Sequence, residues 1–385
     1  MILDFRKNGL FTFFLLFFFS SMYLRGYHVR VLLYEQHCSD LKPVVLSAHN
    51  GIFIVDPDKH QKSKKSYQKL VITYQGKKLF VNGKECPLLK FFCQSVRGSI
   101  VFRDNEYAGR FSVEIYQKKI YVINIIDLED YIYAVLKTES WPGWPLEINK
   151  VQAIVSRTYA LAKILEAQKT GLPYHIKNTN AHQTYEGLHT SYNLQQAVDA
   201  TQNIFIAHKK KPIVAMFDSC CGGIIPHRMK GFNFRHAPYL ARNYACTFCS
   251  NAKVFNWSVY YSDSELTEIS RALGKPCKKI VKAYIDGCDG AGLVRRFIIK
   301  SDKGNVALIG NNVYAQLKKI KSNLFNVTQD RNGYLFRGKG YGHHVGLCQW
   351  GARELVSRGW LVEQIIDFYY PKTTLMKLKS NSILS

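Results

Sequence analysis

Three groups of residues combine types and spacings that can do chemistry. The first is the run Gly338-Lys339-Gly340-Tyr341-Gly342-His343-His344-Val345-Gly346-Leu347-Cys348-Gln349-Trp350-Gly351-Ala352. Its glycines free the backbone to turn tightly or to bring peptide N–H groups close to a ligand, and Tyr341, the histidine pair, Gln349 and Trp350 supply polar and aromatic contacts. A glycine-rich turn leading into a helix is the plain structural alternative. The second group is Glu139 with Trp141 and Trp144 close behind it. A carboxyl desolvated among such rings has its pKa raised and becomes a proton donor near neutral pH. The third is cysteine: Cys220-Cys221 and Cys246-x-x-Cys249 have spacings that admit a four-cysteine structural zinc site or two disulfides. Adjacent cysteines pair poorly with each other, and Cys-x-x-Cys favours metal or redox chemistry. An oxidising compartment favours disulfides, so both readings stay open, with Cys277 and Cys288 as a further possible bridge.

Read together, Leu128-Glu129-Asp130-Tyr131-Ile132, Glu139, Trp144-Pro145 and Arg157-Thr158-Tyr159-Ala160 resemble, in order and spacing, the SpoIID/LytB family. His182-Gln183-x-Tyr185-x-Gly187, Asp218-Ser219-Cys220-Cys221-Gly222-Gly223 and Tyr369-Tyr370-Pro371 extend the resemblance, which covers roughly residues 115 to 375. Several ordered motifs are far more specific than any one of them. The resemblance implies a lytic transglycosylase acting on peptide-stripped glycan strands of peptidoglycan, with Glu139 as its single acid/base and no catalytic cofactor. It also implies substrate contacts at Arg157, Gln183, Tyr185, Asp218, Ser219, Tyr341, His343 and Gln349, each of which has a structural hydrogen-bonding role as its alternative. Two departures stand out: Ser140-Trp141 follow the Glu where the family has Met-Pro, and His344 occupies a glycine position of the loop.

Three rival readings are weaker. One keeps the fold as a non-catalytic glycan-binding protein or an enhancer of a cell-wall amidase partner. Another is a zinc amidase using His182, His343 and His344, which lacks a compact ligand motif. The third is nucleic-acid binding, suggested by 53 Lys+Arg against 28 Asp+Glu, a formal +25. The lysines are scattered and accompany no nucleic-acid-binding motif. The charge instead suits a position beside an anionic membrane or wall polymer.

The elements that must position these groups follow from periodicity. Arg6 and Lys7 precede an apolar stretch from Gly9 to Phe19 without a clear cleavage site, which reads as an uncleaved signal anchor over residues 1–25, with a cleaved signal peptide as the alternative. The bulk of the chain would then lie outside the cytoplasm, anchored in the membrane. Residues 26–115 are predicted to be strand-rich, from short β-branched runs between turn residues, and residues 116–385 to form the catalytic domain. Val113-Tyr116 and Ile120-Ile126 read as a hairpin. Leu146 to Ala167 has apolar residues at helical spacing with Pro145 at its entrance, which places Glu139 on a connecting segment before it. Tyr192 to Thr201 and Leu361 to Tyr369 read as two shorter helices. The class is α+β, with a few helices packed on mixed sheets.

Overall fold

The computed structural model describes residues 27–40, 42–180 and 182–378; the anchor expected over residues 1–25 lies outside them. Among the described residues no helix is long and apolar enough to cross a membrane. The α+β class holds: seven helices accompany several mixed and antiparallel sheets in the described residues.

The β-branched runs of the first part build an eleven-stranded sheet. Towards one edge His28–His37 pairs antiparallel with Lys119–Asp127, which pairs in turn with Arg110–Tyr116. The connection between the last two is a two-residue turn, with Gln117 and Lys118 both at positive φ (49° and 61°), the backbone that a tight hairpin demands. Lys119–Asp127 is buried along nearly its whole length because both faces are covered. Ile120, Val122 and Ile126 face the main core, and Tyr121, Ile123 and Ile125 a smaller cluster with Leu32 and Tyr174, the period-two alternation of a strand. The boundary drawn at residue 115 falls inside Arg110–Tyr116, and one hydrophobic core joins Val29 to Phe205 across it.

Asp127 ends that strand and caps the first helix, its carboxylate accepting the Glu129 N–H at 2.8 Å. This helix, α1, is Leu128–Glu139. Glu139 is therefore the last helical residue of α1 and not part of a connecting segment. After a short turn, Pro145 caps α2, Leu146–Thr170, which ends at Gly171 in the left-handed conformation. Every residue from Val151 to Leu161 is buried, since α2 lies between two cores: Ala153, Ala160 and Leu161 face the first, and Ile148, Val151, Ile154 and Val155 the second. A helix covered on both sides over this stretch is an interior helix, its polar side chains buried with the apolar ones.

The helix α3 (Tyr192–Ala200) adds Leu194 and Val198 to the first core, and the second is closed by the strand Ile204–His208 between Lys211–Pro212 and Thr374–Lys377 and by two C-terminal helices. A unit with its own aromatic core, built on Phe297, Phe325 and Phe336, occupies Asn256 to Lys339 and contains α4 (Asp263–Ala272) and α5 (Asn311–Gln316). It leaves and re-enters the fold at one point, where the Gly340 N–H donates to the Phe255 carbonyl at 2.7 Å. The chain then forms the short strand Leu347–Cys348, α6 (Gln349–Ser357) and α7 (Val362–Tyr369). Leu347–Cys348 lies parallel to Phe217–Asp218, with Asp218 opposite Cys348.

Candidate active site

The end of α1, the segment after α2 and the two parallel strands converge on a cleft of about 410 Å³. It is lined by Glu139, Tyr159, Asn180, His182, Met216, Phe217, Asp218, Ser219, Tyr341, Gly342, His343 and Gln349. Six of the nine residues expected to act on substrate are therefore on it: Glu139, Asp218, Ser219, Tyr341, His343 and Gln349.

Glu139 Oε1 accepts the Thr184 N–H at 2.6 Å. The Thr184 peptide is fixed on its other side as well, its carbonyl accepting the Thr138 hydroxyl at 2.6 Å. Burial raises the Glu139 pKa, and the hydrogen bonds from Thr184 offset part of the rise. Trp141 and Trp144 do not do the desolvating, contrary to the sequence expectation. Trp141 is 57% exposed and stacks on Trp144, which packs edge-on against Trp350 outside the cleft. The groups near the carboxyl are Tyr131 and Tyr159 from the packed helices. Gln349 is partly a positioning residue: its Nε2 donates to the Glu139 carbonyl at 2.6 Å.

Across the cleft, Asp218 Oδ2 accepts the His344 N–H at 2.6 Å, while its buried Oδ1 has no partner. Desolvation pushes this carboxyl well above the ordinary Asp range, and the His344 N–H offsets part of the rise. Gly342, at φ 126°, lies so close that an added Cβ would sit 3.1 Å from the Asp218 carboxyl carbon. His344 occupies a left-handed backbone (φ 69°), the conformation that glycine adopts freely. Its bonds to Asp218 and, through Nδ1, to the Cys221 carbonyl at 2.9 Å hold it there. His343 lines the cleft, and its Nδ1 accepts the Val345 N–H at 3.2 Å. Burial pulls His344 down to about 4, so it is neutral at physiological pH, whereas His343 is exposed on the cleft wall.

Three expected substrate contacts lie in the core instead. Arg157 is fully buried, with Nε and Nη2 on the two carboxylate oxygens of Glu129 at 2.9 and 2.6 Å. Gln183 accepts the Tyr131 hydroxyl at 3.0 Å, and the Tyr185 hydroxyl donates to Asn124 Oδ1 at 2.7 Å. Arg157 lies on a face of α2 that is packed against Glu129 and the Ile204 carbonyl, away from the cleft that Tyr159 of the same helix lines. The sequence reading missed Asn180, Thr184, Met216 and Phe217, and gave Tyr159 no place in the site. A signal for one set existed: with Gln183 and Tyr185 facing inward in extended chain, His182 and Thr184 between and beside them must face the other way.

The cysteines are rearranged relative to expectation. Cys221, Cys246, Cys249 and Cys348 bring their sulfurs within 4.8 Å of one another, with Cys348 taking the place expected for Cys220. All ten cysteines, Cys277 and Cys288 included, are free thiols. This is the only such group of His, Cys, Asp or Glu ligands among the described residues, so His182, His343 and His344 do not form the metal site that a zinc amidase needs.

Residues 116–208 match the family described as Stage II sporulation protein, and residues 180–346 match a domain of unknown function, DUF8618. An uncharacterized protein of Brachyspira hyodysenteriae is 31% identical over 268 residues, covering 69% of this chain and 71% of its own length. The amidase enhancer of Bacillus subtilis is 25% identical over 63% of this chain, which spans only 39% of that protein. Stage II sporulation protein D of Bacillus subtilis is 23% identical over 70% of this chain and 80% of its own length.

Proposed function

Because the chain belongs to the SpoIID/LytB family, we propose that it works on the bacterial cell wall as a lytic transglycosylase of peptide-stripped glycan strands. The observation that carries this reading is the Glu139 carboxyl, its pKa raised by burial, at the wall of a cleft with a fixed peptide N–H on one oxygen. The protonated acid gives its proton to the oxygen between N-acetylmuramic acid and N-acetylglucosamine as that bond breaks. The carboxylate then takes the proton of the muramic C6 hydroxyl as that oxygen bonds to C1, leaving a 1,6-anhydro end and returning Glu139 to its acid form. Water is not consumed, and one carboxylate suffices where glycoside hydrolases use two. The Thr184 N–H stabilises the carboxylate between the two transfers. Asp218, its pKa raised by burial and its Oδ2 held by the His344 N–H, shapes the opposite wall. The strongly basic chain suits a place beside anionic wall and membrane surfaces, held there by its N-terminal segment, with an amidase partner removing the stem peptides beforehand.

The test is mass spectrometry of peptide-free glycan strands incubated with the protein and with its Glu139→Gln variant. Anhydromuramic ends from the first and none from the second are expected. Reducing ends would mean hydrolysis and overturn the single-carboxylate route. Glycan binding without cleavage would replace it by a non-catalytic, amidase-enhancing role, the reading that the similarity to the amidase enhancer favours.

A further inference from the structure

We propose that Cys221, Cys246, Cys249 and Cys348 bind one zinc ion as a structural tetrathiolate centre directly behind the cleft wall. The four residues come from three distant segments: the turn after Phe217–Asp218, the Cys-x-x-Cys turn, and the strand Leu347–Cys348. All four are buried, Cys246, Cys249 and Cys348 completely.

The spacing of the sulfurs selects the centre. Zinc–sulfur bonds of about 2.3 Å in a tetrahedron put the sulfurs about 3.8 Å apart. Cys221 Sγ and Cys249 Sγ are 3.7 Å apart, and no sulfur of the four is more than 4.8 Å from another. A disulfide requires about 2.0 Å and would use two of the four, leaving the other pair unexplained. A mononuclear ion uses all four at once.

The surroundings are those of thiolates. Cys348 Sγ accepts the N–H groups of Cys221 at 3.3 Å and of Gly351 at 3.4 Å, at the N-terminus of the nine-residue α6. The Tyr369 hydroxyl lies 3.2 Å from Cys246 Sγ. Donors aimed at sulfur stabilise the deprotonated, metal-binding form. Gly351 is also the residue that lets α6 approach, since a Cβ there would sit 2.7 Å from Cys246 Sγ. Binding releases the thiol protons and ties together three segments, two of which carry Asp218, Ser219 and Gln349 into the cleft. The centre thus fixes the wall opposite Glu139 without touching substrate.

Elemental analysis of the full chain, purified without chelators, should find one zinc per chain. X-ray absorption at the zinc edge should show four sulfur neighbours at about 2.3 Å. This second measurement needs no variant and separates a built site from zinc bound at the surface. Cys249→Ser should lose the zinc, while Cys220→Ser, outside the ligand set, should keep it. No bound zinc together with two fewer free thiols than the ten cysteines would overturn the proposal in favour of a disulfide. Stoichiometric iron, or nitrogen and oxygen neighbours at the zinc edge, would overturn it as well.

Discussion

Replacing Arg157 by Met should weaken folding and leave the chemistry of the cleft alone. The guanidinium is fully buried, gives two hydrogen bonds to Glu129 and donates through Nη1 to the Ile204 carbonyl at 3.0 Å. Removing one partner of a buried ion pair costs about 3–5 kcal/mol, chiefly because the other charge is stranded. The Glu129 side chain retains 17% exposure, and its Oε1 also accepts the Asn203 N–H at 3.0 Å. Solvent and that donor soften the loss, so the lower end applies: about 3 kcal/mol, or roughly a 100-fold drop in the folding equilibrium constant. Urea unfolding followed by tryptophan fluorescence reads this as a lower midpoint at unchanged slope. The double variant Glu129→Leu/Arg157→Met strands no charge and should regain about half of the loss. A single variant with the wild-type midpoint, or a double variant no better than the single, refutes the argument. A raised KM at an unchanged midpoint would return Arg157 to the substrate.

Thr184→Val removes a hydroxyl that stabilises the Glu139 carboxylate. Proton donation needs the acid form, so turnover is lost as pH rises through the raised Glu139 pKa, and the variant should carry that limb of the kcat/KM profile to higher pH; an unmoved limb counts against the assignment. Gly342→Ala places a methyl against Asp218 at a backbone φ of 126°, costing about 1–3 kcal/mol of stability and weakening glycan binding at least tenfold in a titration. Tyr185→Phe removes the buried hydrogen bond to Asn124 and should lower the unfolding free energy by about 1–2 kcal/mol, with KM for glycan unchanged.

Some of this was legible in the sequence. The hairpin at Gln117-Lys118 and the helix after Pro145 follow from local patterns that each depend on one element. The rest depends on what covers each element. The apolar stripe of α2 marks one buried face, whereas the polar-looking Asn149, Gln152, Ser156, Arg157 and Thr158 are buried too, because a second core lies against the other side. Periodicity reports the faces of a helix and is silent on how many of them meet a neighbour. Cys220 and Cys221 are equivalent on paper; Cys221 comes within 4.8 Å of Cys246, Cys249 and Cys348 alike, whereas Cys220, in an antiparallel bridge with Tyr341, approaches Cys249 and Cys348 from the edge of the cluster. Cys348 joins that cluster only because its strand runs parallel to one 130 residues earlier, a pairing with no local signature.

The position of Glu139 explains why two remote motifs belong to one site. As the last residue of α1 it sits among carbonyls without helical partners, at the negative end of the helix dipole. Such an end disfavours a carboxylate, in the same direction as burial. Two groups answer this environment. Thr184, from the segment after α2, supplies a peptide N–H to the carboxyl, which keeps the acid able to part with its proton. Gln349, from the glycine-rich run, supplies an amide N–H to the Glu139 carbonyl and so satisfies a helix end that would otherwise be left open. The glycine-rich run therefore shapes the far wall with Gly342 and His343 while fixing, through Gln349, the helix end that carries the acid. A change in that run reaches Glu139 by one hydrogen bond, which is why its glycines and its glutamine act as parts of the same device.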